Sequence, residues 1–150
     1  MEVLPLTARP EYDRLYVKFI YYFNVERDYF ECHEVMEELW LEEGRAPLYQ
    51  GLLQVAVGLY HHRNGNVSGA IKLFTAALEK LAGRQAEVMG IDLALLVADS
   101  QRYLQQLERM AEQPFTFYDL NIRVIDPNLD EAVGVLIANP PIPGVEEEEH

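Results

Sequence analysis

The sequence predicts an all-α fold: one multi-helical bundle of about five helices followed by an extended C-terminal arm. Three observations lead there. Apolar and aromatic residues recur three and four apart over most of the first 112 positions, the period of a helix face. Asn, Gly and Pro fall between those runs, where helices start and stop. A chain of 150 residues, 49% hydrophobic and 11% aromatic, also has the means to build a core. Folding should remove about 68–70% of such a chain's surface from water. One domain over 1–150 is expected, with the bundle at 10–112 and the arm and tail at 113–150.

Helix one is expected at 10–24. Pro10 suits a first-turn position, and Tyr12, Leu15, Tyr16, Phe19, Ile20 and Phe23 form the apolar face. Helix two, 27–43, buries Tyr29, Cys32, Val35, Met36 and Leu39, and turns Glu31, Glu34, Glu38 and Glu42 outward. Gly44-Arg-Ala-Pro47 stops it, and Pro47 opens helix three, 46–63. Helix three is apolar nearly all the way round, as the central member of a bundle should be.

Asn64-Gly65-Asn66 supplies a stop and a new cap for helix four, 66–82, whose Ala70, Leu73, Phe74, Ala77, Leu78 and Leu81 keep a regular amphipathic series. Gly83 and Gly90 bracket a looser connection to helix five, 91–112. After Pro114, Phe115, Phe117, Leu120, Ile122 and Val124 alternate with polar residues and read as an extended arm across the bundle. The spacing of Leu129, Val133, Leu136 and Ile137 allows a short terminal helix from Asp126-Pro127 to Ala138.

Composition narrows the functions. A formal charge of −13 repels nucleic-acid phosphates and anionic lipids, so neither nucleic acid nor membrane is an expected partner. The run Glu146–Glu149 adds to that charge as a solvated tail. No apolar run reaches the roughly 18–20 residues of a membrane span, and Met-Glu-Val-Leu-Pro is not a secretion signal. With a single cysteine, Cys32, these features point to the cytoplasm.

The chemistry-bearing residues lie along one seam. A helix turns about 100° per residue, which puts Gln54, Val57 and His61 within roughly 40° of Gln50. His33, Glu37 and Trp40 share a comparable line on helix two. A short connection makes these helices antiparallel neighbours, so the two polar lines can face each other, with His33 toward His61 and Trp40 toward Gln50.

Three readings are open. The seam can be a buried hydrogen-bond ladder that fixes helix register. It can be a small-ligand pocket using Gln50 and Gln54, with Trp40 and Tyr60 as walls. Or His33, Glu37 and His61 can hold a divalent metal ion, since an imidazole and a carboxylate four apart point the same way. His33-Glu-x-x-Glu37 has a glutamate where a zinc-protease helix has its second histidine, and Phe30 stands where a di-iron motif has glutamate.

Cys32 reads as core, His62 as a solvated neighbour of Arg63, and the 63–68 turn as a capped turn. Tyr21 and Tyr22 are expected to leave an aromatic patch suited to a second copy of the chain in a homo-oligomer.

The stretches Asp28-Tyr-Phe-Glu-Cys-His-Glu-Val-Met-Glu-Glu-Leu-Trp40, Gln50-Gly-Leu-Leu-Gln54, Tyr60-His61 and Gly65-Asn66-x-x-Gly-Ala70 resemble a family of small, mainly bacterial helical proteins, domain of unknown function 309. The resemblance spans about residues 15–82, and Tyr118-Asp-Leu-Asn121 and Asp126-Pro127 extend it to longer members. It implies a helical bundle and no particular activity. Its motif coincides with His33, Glu34, Glu37, Trp40, Gln50, Gln54 and His61.

The functional expectation is a cytosolic protein with a small-ligand or metal pocket between helices two and three. The alternatives are a protein-interaction adaptor with a purely structural seam, and a metal-assisted hydrolase using Glu34 or Glu38 as base. Those two carboxylates point roughly 60–140° away from the His33–Glu37 line, which places the hydrolase last.

Overall fold

The structure, a computed structural model, describes residues 12–144; Pro10 and the run Glu146–Glu149 lie outside them. Six α-helices, one π-helical turn and one two-stranded hairpin make up the regular structure of the described residues. The all-α expectation holds.

Helix α1 (Arg14–Tyr21) starts where the Asp13 carboxylate accepts from the Leu15 N–H at 2.8 Å. It widens into a π-helical turn, Tyr22–Glu26, and stops at Arg27 in the left-handed region, φ 56°. Asp28 caps α2 (Tyr29–Glu42) through the Glu31 N–H. Pro47 opens α3 (Pro47–Arg63), and Asn66 caps α4 (Val67–Leu81) through the Gly69 N–H at 2.9 Å. Asp92 caps α5 (Leu93–Glu108), and Asp126 caps α6 (Pro127–Ala138). All six helices thus begin within a few residues of their expected starts.

The connection read as loose is a small hairpin. Strands β1 (Glu87–Val88) and β2 (Ile91–Asp92) pair antiparallel around Met89 and Gly90, both at positive φ (51° and 77°). Two consecutive positive φ values match the twist of the flanking strands, so this is a favoured hairpin turn.

Helices α3 and α4 form the most extensive pair, and α2 lies on α3, α1 on α2, α5 on α4 and α6 on α1. The α3–α4 contact is close because two glycines seven apart face it. A Cβ on Gly51 would come within 2.6 Å of the Leu81 side chain, and one on Gly58 within 2.9 Å of the Phe74 ring. Side chains there would force the helices apart.

The arm binds by backbone and charge. Asn24 receives the Ile122 N–H at 2.8 Å and donates to the Ile122 carbonyl at 2.7 Å. Arg27 donates to the Leu120 carbonyl and to Asn121 Oδ1, both at 2.5 Å. The Tyr29 hydroxyl donates to Asp119, and the Gly90 carbonyl accepts from Ile125 at 2.8 Å. Asp126 accepts from the Tyr12 hydroxyl; burial first, then that bond, push the Tyr12 phenol up to about 12.

Two surface expectations are corrected. Tyr21 and Tyr22 are 3% and 2% exposed, packed edge to face, so they offer no patch to a second copy. Every residue from Tyr16 to Phe23 is buried, so this stretch is covered all the way round and both rings lie inside. His62 is also buried, at 7% exposure, and pairs with the Tyr103 hydroxyl at 2.5 Å. Cys32 is core as expected; its thiol donates to the Phe19 carbonyl at 3.7 Å, and burial holds it well above the ordinary thiol range.

Candidate functional site

The two polar lines do meet. His33, Glu37 and Trp40 of α2 and Gln50, Leu53, Gln54 and Val57 of α3 line one groove of about 220 Å³, closed on a third side by Leu73 of α4. The groove follows from the short turn at Glu43–Ala46, which sends α3 back along α2 with Gln50 level with Trp40. Its outer rim is polar and its floor is aliphatic.

On the rim, His33 Nε2 stands 3.2 Å from Glu37 Oε2, and His33 Nδ1 stands 3.3 Å from Glu34 Oε1. All three side chains are well exposed, at 38% for His33, 48% for Glu37 and 52% for Glu34. Exposure of that order keeps such pairs weak, worth about 0–1 kcal/mol. They orient the imidazole rather than hold the fold together.

Beneath the rim lies the unusual feature. Trp40 Nε1 and Gln54 Oε1 are covered from solvent and have no hydrogen-bond partner. Leaving a buried polar atom unpaired costs about 1–3 kcal/mol. Among the described residues only Ser100 Oγ shares that condition, so two of three cases fall in residues of one groove. The Arg45 guanidinium sits over the Trp40 ring, 5.1 Å from its centroid.

Two of the proposed residues lie elsewhere. With Trp40 level with Gln50, ten residues up α3 from Gln50 correspond to ten residues down α2 from Trp40. Tyr60 therefore meets Phe30, with ring centroids 6.4 Å apart, rather than walling the groove. His61 sits one further position along, at the α3–α4 turn, with Nδ1 3.3 Å from the Asn66 amide nitrogen. The triad His33, Glu37 and His61 is not assembled, and no group of three His, Cys, Asp or Glu side chains among the described residues is placed to hold a metal ion. The expected facing of the helices and the Trp40–Gln50 pairing hold; in that same register His33 lies level with Val57, one turn short of His61. Glu38 is not a lining residue, and Glu34 reaches His33 from outside. Periodicity in α4 marked Leu73 as apolar but could not say that it would close this groove.

The family model for a domain of unknown function (DUF309) matches residues 16–73, which contain every residue of the groove. A second similarity decides the matter: the chain is 33% identical to the uncharacterized protein YpuF of Bacillus subtilis (strain 168) over 126 residues, covering 81% of this chain and 70% of that protein. The chain belongs to the DUF309 family. The family match ends inside α4, whereas the likeness to the Bacillus protein takes in much more of the chain than that match. No solved structure matches it. Within this DUF309 protein, none of the helices among the described residues is long and apolar enough to cross a membrane.

Proposed function

We propose that this DUF309 chain is a cytosolic small-ligand-binding protein whose site is the groove between α2, α3 and α4. One observation carries the reading: a buried indole N–H and a buried amide oxygen, both without partners, belong to residues lining the same concavity. A ligand seated in the groove that turned these covered groups toward itself would recover the desolvation cost that folding leaves standing there. At about 220 Å³ the groove is smaller than the roughly 300–1,000 Å³ of sites for drug-sized molecules, so the ligand is a small metabolite. The unpaired thiol of Cys32 accords with a reducing compartment.

A thermal-shift screen of small polar metabolites tests the proposal. Ligands at 100 times their Kd should stabilise the wild type by about 2.7 kcal/mol. They should do nothing for Gln54→Ala or Trp40→Phe. A screen in which every hit stabilises these variants equally would defeat the reading.

The adaptor alternative has one observation of its own. Phe30 and Leu41, at the two ends of the same α2 face, are 53% and 50% exposed. Substituting both with Ser should abolish capture of a protein partner while leaving small-molecule shifts intact.

A further inference from the structure

We infer that the concavity at the end of α5 is a second binding site, which takes a small organic anion: a carboxylate or phosphate carried on a flat apolar body. Arg102, Gln106 and Arg109 line it together with Gln113, Pro114 and Phe115, where the chain leaves the helix. It shares no lining residue with the α2–α3–α4 groove. After Arg109 the chain doubles back, Phe115 packs on Tyr103 with ring centroids 5.5 Å apart, and a hollow of about 670 Å³ remains. That volume falls within the roughly 300–1,000 Å³ of sites for drug-sized molecules.

The polar groups of this hollow are mostly donors. Residues 102, 106 and 109 fall within roughly 60° of one another around α5, which sets their side chains on one face. Both arginines can only donate. Arg102 is 70% exposed and has a loose partner, Asp99 at 3.9 Å. Among the described residues the Arg109 guanidinium has no ion pair or hydrogen bond. The Tyr118 hydroxyl donates to Gln106 Oε1, which fixes that amide and leaves its two N–H donors for a ligand. Two guanidinium groups against the one carboxylate of Glu108 leave the hollow positive, in a chain of formal charge −13.

Arginines near the end of a helix often serve its dipole instead. Here the turn serves it: the Gln106 and Leu107 carbonyls accept from the Arg109 and Met110 N–H groups at 3.2 and 3.1 Å. The overall charge does not forbid a small anion either. Charges more than about 8 Å away are largely screened at physiological ionic strength, so a small ligand responds to the arginines beside it. A long polyanion would meet the whole acidic surface. About 22 waters at roughly 30 Å³ each would fill the hollow, far more than a bare phosphate displaces. Pro114 and the half-buried Phe115 supply apolar surface for the remainder of the ligand.

Calorimetric titration of two matched pairs tests the assignment: adenosine monophosphate against adenosine, and phenylacetate against phenylacetamide. In at least one pair the anion should bind tenfold or more tightly than its neutral counterpart, and the pair that responds names the source of the charge. Raised salt should weaken the anion and leave the neutral member unchanged. Arg102→Gln and Arg109→Gln should each reduce the preference, and together erase it, while Arg109→Lys retains part of it. These side chains are exposed, and an unchanged melting temperature shows that the variants fold. Trp40→Phe, in the other groove, should bind the anion as the wild type does.

Neutral and anionic members binding alike, or no binding by either anion, would overturn the inference. So would anion binding of wild-type strength in the double glutamine variant. Inorganic phosphate binding as tightly as adenosine monophosphate would overturn its apolar half. None of these results touches the ligand reading of the α2–α3–α4 groove, whose own screen decides it.

Discussion

Two histidine neighbourhoods on the same pair of helical layers end in opposite states. His62, on the inner side of α3, bonds to the Tyr103 hydroxyl and is boxed by the rings of Phe115 and Phe117 at 5.0 and 5.7 Å. His33, on α2, stands half in solvent between two carboxylates, above two polar atoms with no partner. The helices themselves do not make this difference. The arm does: residues 115–118 close over the His62 end of α3, while the groove lies open. At the arm's end of α3 the polar group is covered and satisfied. In the seam two polar atoms are covered without a partner.

The sharpest way to break the comparison is to remove the partner at the covered end. Tyr103→Ala strips a fully buried ring from Phe74, Phe115 and Tyr118 and orphans His62. It should cost about 3–5 kcal/mol in urea unfolding. A loss below 1 kcal/mol would mean that the box does not hold the arm.

Acid should act next. Burial lowers the His62 pKa below its ordinary 6.5. As pH falls through about 6.5, the unfolded chain therefore takes a proton that the folded chain refuses, and stability declines until the folded pKa is passed. Melting temperature should drop between pH 7.5 and 5.5, and less so in His62→Gln. Asp126 acts in a separate and lower window. Its pKa is depressed by the Tyr12 hydroxyl and then the Asn128 N–H, so its contribution is present above 3.8 and lost only below that.

At the open end the expected effects are smaller and partly reversed. Gln54→Leu replaces an unpartnered buried oxygen with carbon, and should change stability by under about 1 kcal/mol or raise it. A loss of several kcal/mol would show that Gln54 is bonded in solution and that the seam is a ladder after all. Smallest of all is Glu37→Gln, which removes an exposed pair worth at most about 0.5 kcal/mol, a shift of about 2 °C or less.

The sequence displayed whatever is local. Asn66 and Pro47 mark helix starts because capping and first-turn preferences act over a few residues, and the two polar lines emerged because a helix repeats every 3.6. Residues 33–54 could therefore be placed on one groove. The rest depends on partners remote in the chain. His62 sits on a helix apolar on all sides, so its own neighbours cannot tell which way it faces; Tyr103 and the arm decide. Tyr21 and Tyr22 are buried because every residue from Tyr16 to Phe23 is covered, so the outer face that an amphipathic reading gives this helix is removed by packing. His61 falls outside the expected cluster because, with Phe30 opposite Tyr60, it stands one turn beyond the level of His33, where it meets Asn66.

The arm also governs when the molecule can finish folding. Asn24, Arg27 and Tyr29 find their partners at 119–122, and Tyr12 finds its own at Asp126, each 90 or more positions downstream. Helices α3 and α4 can pair as soon as they leave the ribosome, since their contacts are near in sequence. The first helix docks early on α2 and α3, through the Cys32 thiol on the Phe19 carbonyl and Tyr49 beside Tyr16, but its α6 side waits through nearly the whole of synthesis. Nascent-chain protection of α1 should therefore become complete only after α6 has emerged.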